Sequence, residues 1–142
     1  MLLKKIIVFL FVKIISPKVK VKYCEESFSF CFKNNILEYN FHTEDMGFTR
    51  HMREYHLYEP QFKLLLYSLL HEIGHYYTQD CIDEEELETR ALCSLIPFEV
   101  IMKRKDLQNE YFNLKSEFEA TEWAIGFAVR HSLFCRVFDS LL

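Results

Sequence analysis

The sequence predicts an α+β fold, a small antiparallel sheet of two to four strands packed on a helical layer. Three observations carry this. Polar and apolar residues alternate between residues 18 and 42, the side-chain period of a strand. A greasy run from Leu64 to about Gln79 has the apolar content of a buried helix. A third block, "SEFEATEWAIGFAVRHSLFCRVF", starts with a helix-capping signature.

The opening "MLLKKIIVFLFVKIISP" forms a first strand or helix of the domain. A secretory signal is the weaker reading, because Lys13 interrupts its apolar core and no small-residue cleavage site follows. The run is also too short for the roughly 20 apolar residues that span a bilayer, so no stable membrane insertion is expected. Next, "KVKVKY" has one wet face and one dry face. In "SFSFCF", Phe28, Phe30 and Phe32 share one face, with Ser27, Ser29 and Cys31 on the other. Lys33-Asn34-Asn35 suits a hairpin turn, since Asn tolerates positive φ. "ILEYNFH" resumes the alternation.

Residues 43 to 58 are polar and mixed, and read as a loop or short helix. Glu59-Pro60 then opens the central helix, because proline is favoured in a first turn. Beyond it, the acids Asp83 to Glu86 suit a helix N-terminus, where the dipole favours negative charge. In the last block, Ser116 and Glu119 form a capping box, and a helix runs from Glu117 into the 130s.

With 142 residues, half of them hydrophobic, the chain suits one compact domain, 1 to 142. Its net charge of −4 and lack of a basic stripe give nucleic-acid binding no support. The five cysteines are odd in number and include no C-x-x-C pair. Free thiols in a reducing, cytoplasmic setting fit best, with Cys31 and Cys93 as small buried hydrophobes.

The chemistry lies in "HEIGH", residues 71 to 75. Positions four apart share a helix face, so His71 and His75 can aim two nitrogens at one point. Glu72 lies beside that face. This is the H-E-x-x-H arrangement, two Zn²⁺ ligands and a general base. An uncompensated Glu72 in such an apolar run costs several kcal/mol, which a metal-held water would offset. Gly74 in mid-helix suggests close packing beneath the metal.

A catalytic zinc site needs a third ligand. The metzincin pattern fails, because Thr78 and Cys81 stand where it has Gly and His. "EFEATEWA" offers Glu117, Glu119 and Glu122. Glu119 is claimed by the capping box, while Glu117 shares a face with Thr121, which can support a ligand histidine through a hydrogen bond. Glu86, Glu88 and Glu119 remain open as alternatives. Trp123, Ile125 and Phe127 read as core, and His131 as a partly exposed residue late in its helix. Tyr76, Tyr77 and Tyr111 each offer a hydroxyl for an oxyanion.

"HEIGH" together with "EFEAT" resembles the gluzincin metallopeptidases, and most nearly their smallest members, the minigluzincins and the ImmA/IrrE-type and HtpX-like peptidase domains. The second motif is similar to the pattern E-x-x-A-(D/N), with Glu117 in the ligand place and Thr121 departing from the usual Asp or Asn. The resemblance covers residues 18 to 130 and implies a zinc-dependent peptidase: His71, His75 and Glu117 on the metal, Glu72 as general base, and a peptide or protein substrate. It also implies that "ILEYNFH" is an edge strand that binds substrate by β-addition. Residues 98 to 115 are then an insertion. A competing alignment of "EEELETRALCSLIPFEV" makes Glu86 the ligand. A binding module or inhibitor of virus or mobile-element origin, with a structural metal site, is the alternative reading. Such a site would be closed by a fourth ligand from Cys81, His42, His51 or His56.

Overall fold

In the computed structural model the chain is α+β, and the elements bounded among its described residues are four helices and one three-stranded sheet. The structure describes residues 1–42, 62–79, 86, 95–96, 100, 103–104, 106–107 and 114–142. The elements in chain order are α1 (Leu2–Ile15), β1 (Lys20–Tyr23), β2 (Ser29–Cys31), β3 (Ile36–Tyr39), α2 (Leu64–Tyr77), α3 (Lys115–Arg130) and α4 (Ser132–Leu141). The stretch from 43 to 58, with His51 and His56, lies outside the described residues, as do Cys81, Glu88, Cys93 and Tyr111.

The opening segment is a helix. Its inner face, Ile7, Val8, Phe11 and Val12, is buried. Phe11 stacks on Phe134 and also meets Phe138, so α1 is pinned to α4 by aromatic contacts. The helix stops before Pro17, which has no N–H to continue the ladder. There the Lys13 ammonium donates to the carbonyls of Pro17 (2.9 Å) and Val19 (2.8 Å), tying the helix to the turn that follows it.

The sheet order is β1-β3-β2. β2 and β3 form the expected hairpin, antiparallel with Phe30 opposite Leu37. Asn35 takes the turn's left-handed conformation, φ 51°. β1, however, runs parallel to β3, with Lys22 opposite Glu38, so the sheet is mixed and not antiparallel. Alternation specifies that a segment is a strand but not its neighbour. The centre goes to the strand with the most buried side chains, since Leu37 is 0% and Tyr39 2% exposed. Cys31 is exposed, contrary to the expectation of a buried thiol, because it shares a face with Ser29 and opposes Phe30.

The central helix, α2, begins at Leu64 rather than near Pro60. Asp139, from α4, accepts the Lys63 N–H at 2.6 Å, so a distant carboxylate sets the start. Leu66, Leu69, Leu70 and Ile73 are fully buried. Among the described elements α2 packs most extensively on α3.

Candidate metal centre

The α2–α3 seam is narrow because its residues are small. A Cβ added at Gly74 would lie 2.5 Å from the Ala120 carbonyl oxygen and 3.0 Å from its Cα. Ala120, Ala124 and Ala128 line α3's inner face, all nearly inaccessible. Such an approach requires glycine, since a backbone neighbour cannot rotate away. It brings the first turn of α3 against the HEIGH turn of α2.

His71, His75 and Glu117 meet there, 4%, 4% and 2% exposed. Glu117 Oε2 lies 3.0 Å from His71 Nε2 and 3.4 Å from His75 Nε2. One ligand atom from each of the three residues lies within 4.8 Å of the others, so the group can hold a metal ion. A tetrahedral site with bonds of 2.0–2.2 Å separates its ligand atoms by about 3.3–3.6 Å, which the two Glu117 contacts approach.

Hydrogen bonding identifies which nitrogen of His71 is available. The Thr121 hydroxyl donates to the Glu117 carbonyl at 2.9 Å. Its proton is thereby used, and the oxygen can accept the His71 Nδ1–H, 3.2 Å away. A neutral His71 in that tautomer turns a bare Nε2 lone pair towards a carboxylate oxygen. Two lone pairs at 3.0 Å repel unless a cation or proton stands between them. Burial pushes the Glu117 carboxyl up, but the charge and hydrogen bonds of His75 and His71 outweigh it and hold the group well below the usual carboxylate range. The donor set, two nitrogens and one oxygen converging on one point, fits a divalent cation.

The site opens to solvent on one side. A cleft of about 140 Å³ is lined by Glu72, His75 and Glu117 from the helices, and by Phe28, Ser29, Phe30 and Phe32 from β2 and its flanks. Glu72 is half-buried there, beside the His75–Glu117 pair. Phe32 sets its ring edge against His75, centroids 5.5 Å apart. β2 is an outer strand of the sheet, whereas β3 is the middle one. The expectation that "ILEYNFH" is the edge strand is therefore corrected: both its sides are occupied, and the cleft-side edge belongs to β2.

The remaining candidates separate. Glu86 is 4% exposed and does not join the imidazoles; its carboxylate accepts the Ser116 N–H at 3.0 Å and also a short bond from the Ser116 hydroxyl. It caps α3 from a remote part of the chain. That replaces two expectations, Glu86 as the alternative ligand and a Ser116–Glu119 capping box. The N-cap position is Leu114, Ser116 sits inside the first turn, and Glu119 is half-buried. Local spacing suggested the box, but a tertiary contact took its serine.

His131 lies about 20 Å along α3 from Glu117, at 1.5 Å per residue, and packs on Phe127. Tyr77 is committed elsewhere: its hydroxyl donates to the Ile15 carbonyl at 2.8 Å and its ring stacks on Trp123. Trp123, Ile125 and Phe127 are packed against the core, as expected. His42 is exposed, and the metal-ligating group among the described residues contains only the two histidines and Glu117. No protein-family model, curated protein or solved structure matches the chain.

Proposed function

We propose that the chain is a metal-dependent peptidase of gluzincin type, with zinc held by His71, His75 and Glu117. The observation that carries this reading is the convergence of three buried ligand atoms, two of them from His75 and Glu117, which line a cleft that Glu72 also lines. A structural site would be enclosed; this one is open on the Glu72 side, which favours catalysis over a purely structural metal.

A bound divalent cation would acidify a water molecule and polarise the substrate carbonyl. The chain's own residues do the rest. Glu72 accepts the water's proton as the oxygen attacks the peptide carbon, and delivers it to the departing amine. Thr121 fixes the orientation and tautomer of His71. β2 offers its outer backbone groups to an extended substrate, and the aromatic side chains of Phe28, Phe30 and Phe32 shape the cleft beside it.

The test combines metal analysis of the purified chain with a peptide library. Wild type should hold about one zinc and cleave; Glu72→Gln should keep the metal and lose cleavage. Equal cleavage by both proteins sinks the mechanism. Metal without cleavage in either, and an unchanged biological effect, moves the chain to the binding-module reading.

A further inference from the structure

From the outer face of α1 we infer an interfacial anchor that seats the domain on an anionic membrane surface. The inference is independent of the metal centre. Leu2, Leu3, Ile6, Phe9, Leu10 and Ile14 are 74%, 70%, 46%, 47%, 48% and 60% exposed, and by helical spacing they form one continuous stripe. Six large apolar side chains on one face exceed the scattered exposure normal for a surface.

The only charged residue on that stripe, Lys13, is paired within the chain. Lys13 spends its ammonium on the carbonyls of Pro17 and Val19, past the helix end, with Nζ 5.9 Å from the centre of the Phe9 ring. The one cation within the apolar face is thus paired with the chain's own carbonyls. Further cations bracket the face: Lys4 in the first turn and Lys18 and Lys20 just beyond the last are all exposed. No Asp or Glu occurs before Glu25, although the chain as a whole carries −4. An apolar stripe with lysines at its ends is the pattern of a helix lying in a lipid interface, with the ammonium groups at the headgroups.

Geometry excludes spanning. The helix has 14 residues, about 21 Å, against a hydrocarbon core of about 30 Å. No helix among the described residues is long and apolar enough to cross a membrane. Its other face is also fixed in the core through Val8, Phe11 and Val12, each 0% exposed. A second copy of the chain is the poorer occupant, because a symmetric contact sets one cluster of lysines against another. An anionic surface gains from each of them, about fivefold in binding per lysine close to it.

The experiment is flotation of the full chain with phosphatidylcholine vesicles, with and without phosphatidylserine, at low salt. Binding to the anionic vesicles should exceed binding to neutral ones by about tenfold or more. The double variant Ile6→Glu/Leu10→Glu should lose that binding by a similar factor while keeping the wild-type melting temperature, because both positions are about half exposed. Lys4→Glu/Lys18→Glu should erase the preference for anionic lipid. Absence of flotation in wild type, or equal flotation of the Ile6→Glu/Leu10→Glu protein, overturns the anchor. So does a concentration-dependent dimer, seen by light scattering and lost in that variant, without vesicle binding.

Discussion

The imidazole cluster and the head of α3 each bury a carboxylate, and each resolves the cost differently. Glu117 is 2% exposed and faces two imidazoles, with the geometry to share a cation. Glu86 is 4% exposed and faces the N-terminus of α3, accepting from Ser116. Charge meets charge in one place and charge meets a helix dipole in the other. Ser116, which Glu86 holds, and Glu117 are neighbours in one turn of α3, so the cap that holds α3's end also holds the ligand beside it. Binding chemistry and scaffold are thus separable by mutation, although they occupy one turn.

The largest effect falls on the imidazole side. Glu117→Ala or His75→Ala should remove the metal altogether, read by metal analysis, and make the melting temperature insensitive to a chelator. Wild type should lose stability on chelation. Full metal content in either variant breaks the proposed ligand set. Acid should act in the same direction in wild type, since an imidazole must shed its proton to bind a cation, while Glu117 is held ionised well below the usual carboxylate range. The acid loss of metal therefore tracks the histidines.

Next comes the seam. Gly74→Ala places a Cβ 2.5 Å from the Ala120 carbonyl oxygen, a backbone atom that cannot swing aside. Destabilisation by about 1–3 kcal/mol, measured by denaturant titration, is expected from such overpacking. Metal affinity should fall with it, because α3 must move away from the two histidines. A neutral Gly74→Ala would show that the helices are not held at this distance.

Glu86→Ala tests the other carboxylate. It leaves the Ser116 N–H and hydroxyl buried without that acceptor, for a cost of about 1–3 kcal/mol. The metal stoichiometry should stay at wild type. Loss of metal with an intact fold would instead make Glu86 a ligand, and revive the shorter alignment. Thr121→Val is expected to be gentler still. It removes the oxygen that receives His71 Nδ1–H, and loss of such support weakens metal binding about tenfold at the lower end of the usual range. A competition titration with a chelator of known affinity reads this directly.

What the sequence makes legible follows from range. His71 and His75 are one helical turn apart, and so are Glu117 and Thr121; fixed helix geometry converts each spacing into a shared face. The hairpin at Asn35 is equally local. Where the sequence misleads, the deciding partner is distant. Asp139 sets the start of α2, Glu86 takes the serine of α3, and β3 enters between β1 and β2. None of those contacts has a fixed spacing in the chain. Gly74 stands between the cases: its position signalled a close approach, but only the structure identifies the Ala120 backbone as what it approaches.

The smallest expected effect sharpens the comparison most cheaply. Glu119 stands on the same helix as Glu117 and carries the same side chain, and by local spacing it should cap Ser116. In the structure α3 has no side-chain cap bond at its N-cap position, Leu114, and Ser116 turns to Glu86. Glu119 is half-buried, on the flank of the helix. Glu119→Ala should therefore shift stability by no more than about 0.5 kcal/mol, the range of an ordinary surface change, and leave metal content untouched. Loss of a true capping partner costs about 0.5–2 kcal/mol. Denaturant titration of Glu119→Ala beside Glu86→Ala resolves the two: a larger loss at Glu119 than at Glu86 would return the cap to the local box, and a larger loss at Glu86 places it on the tertiary contact.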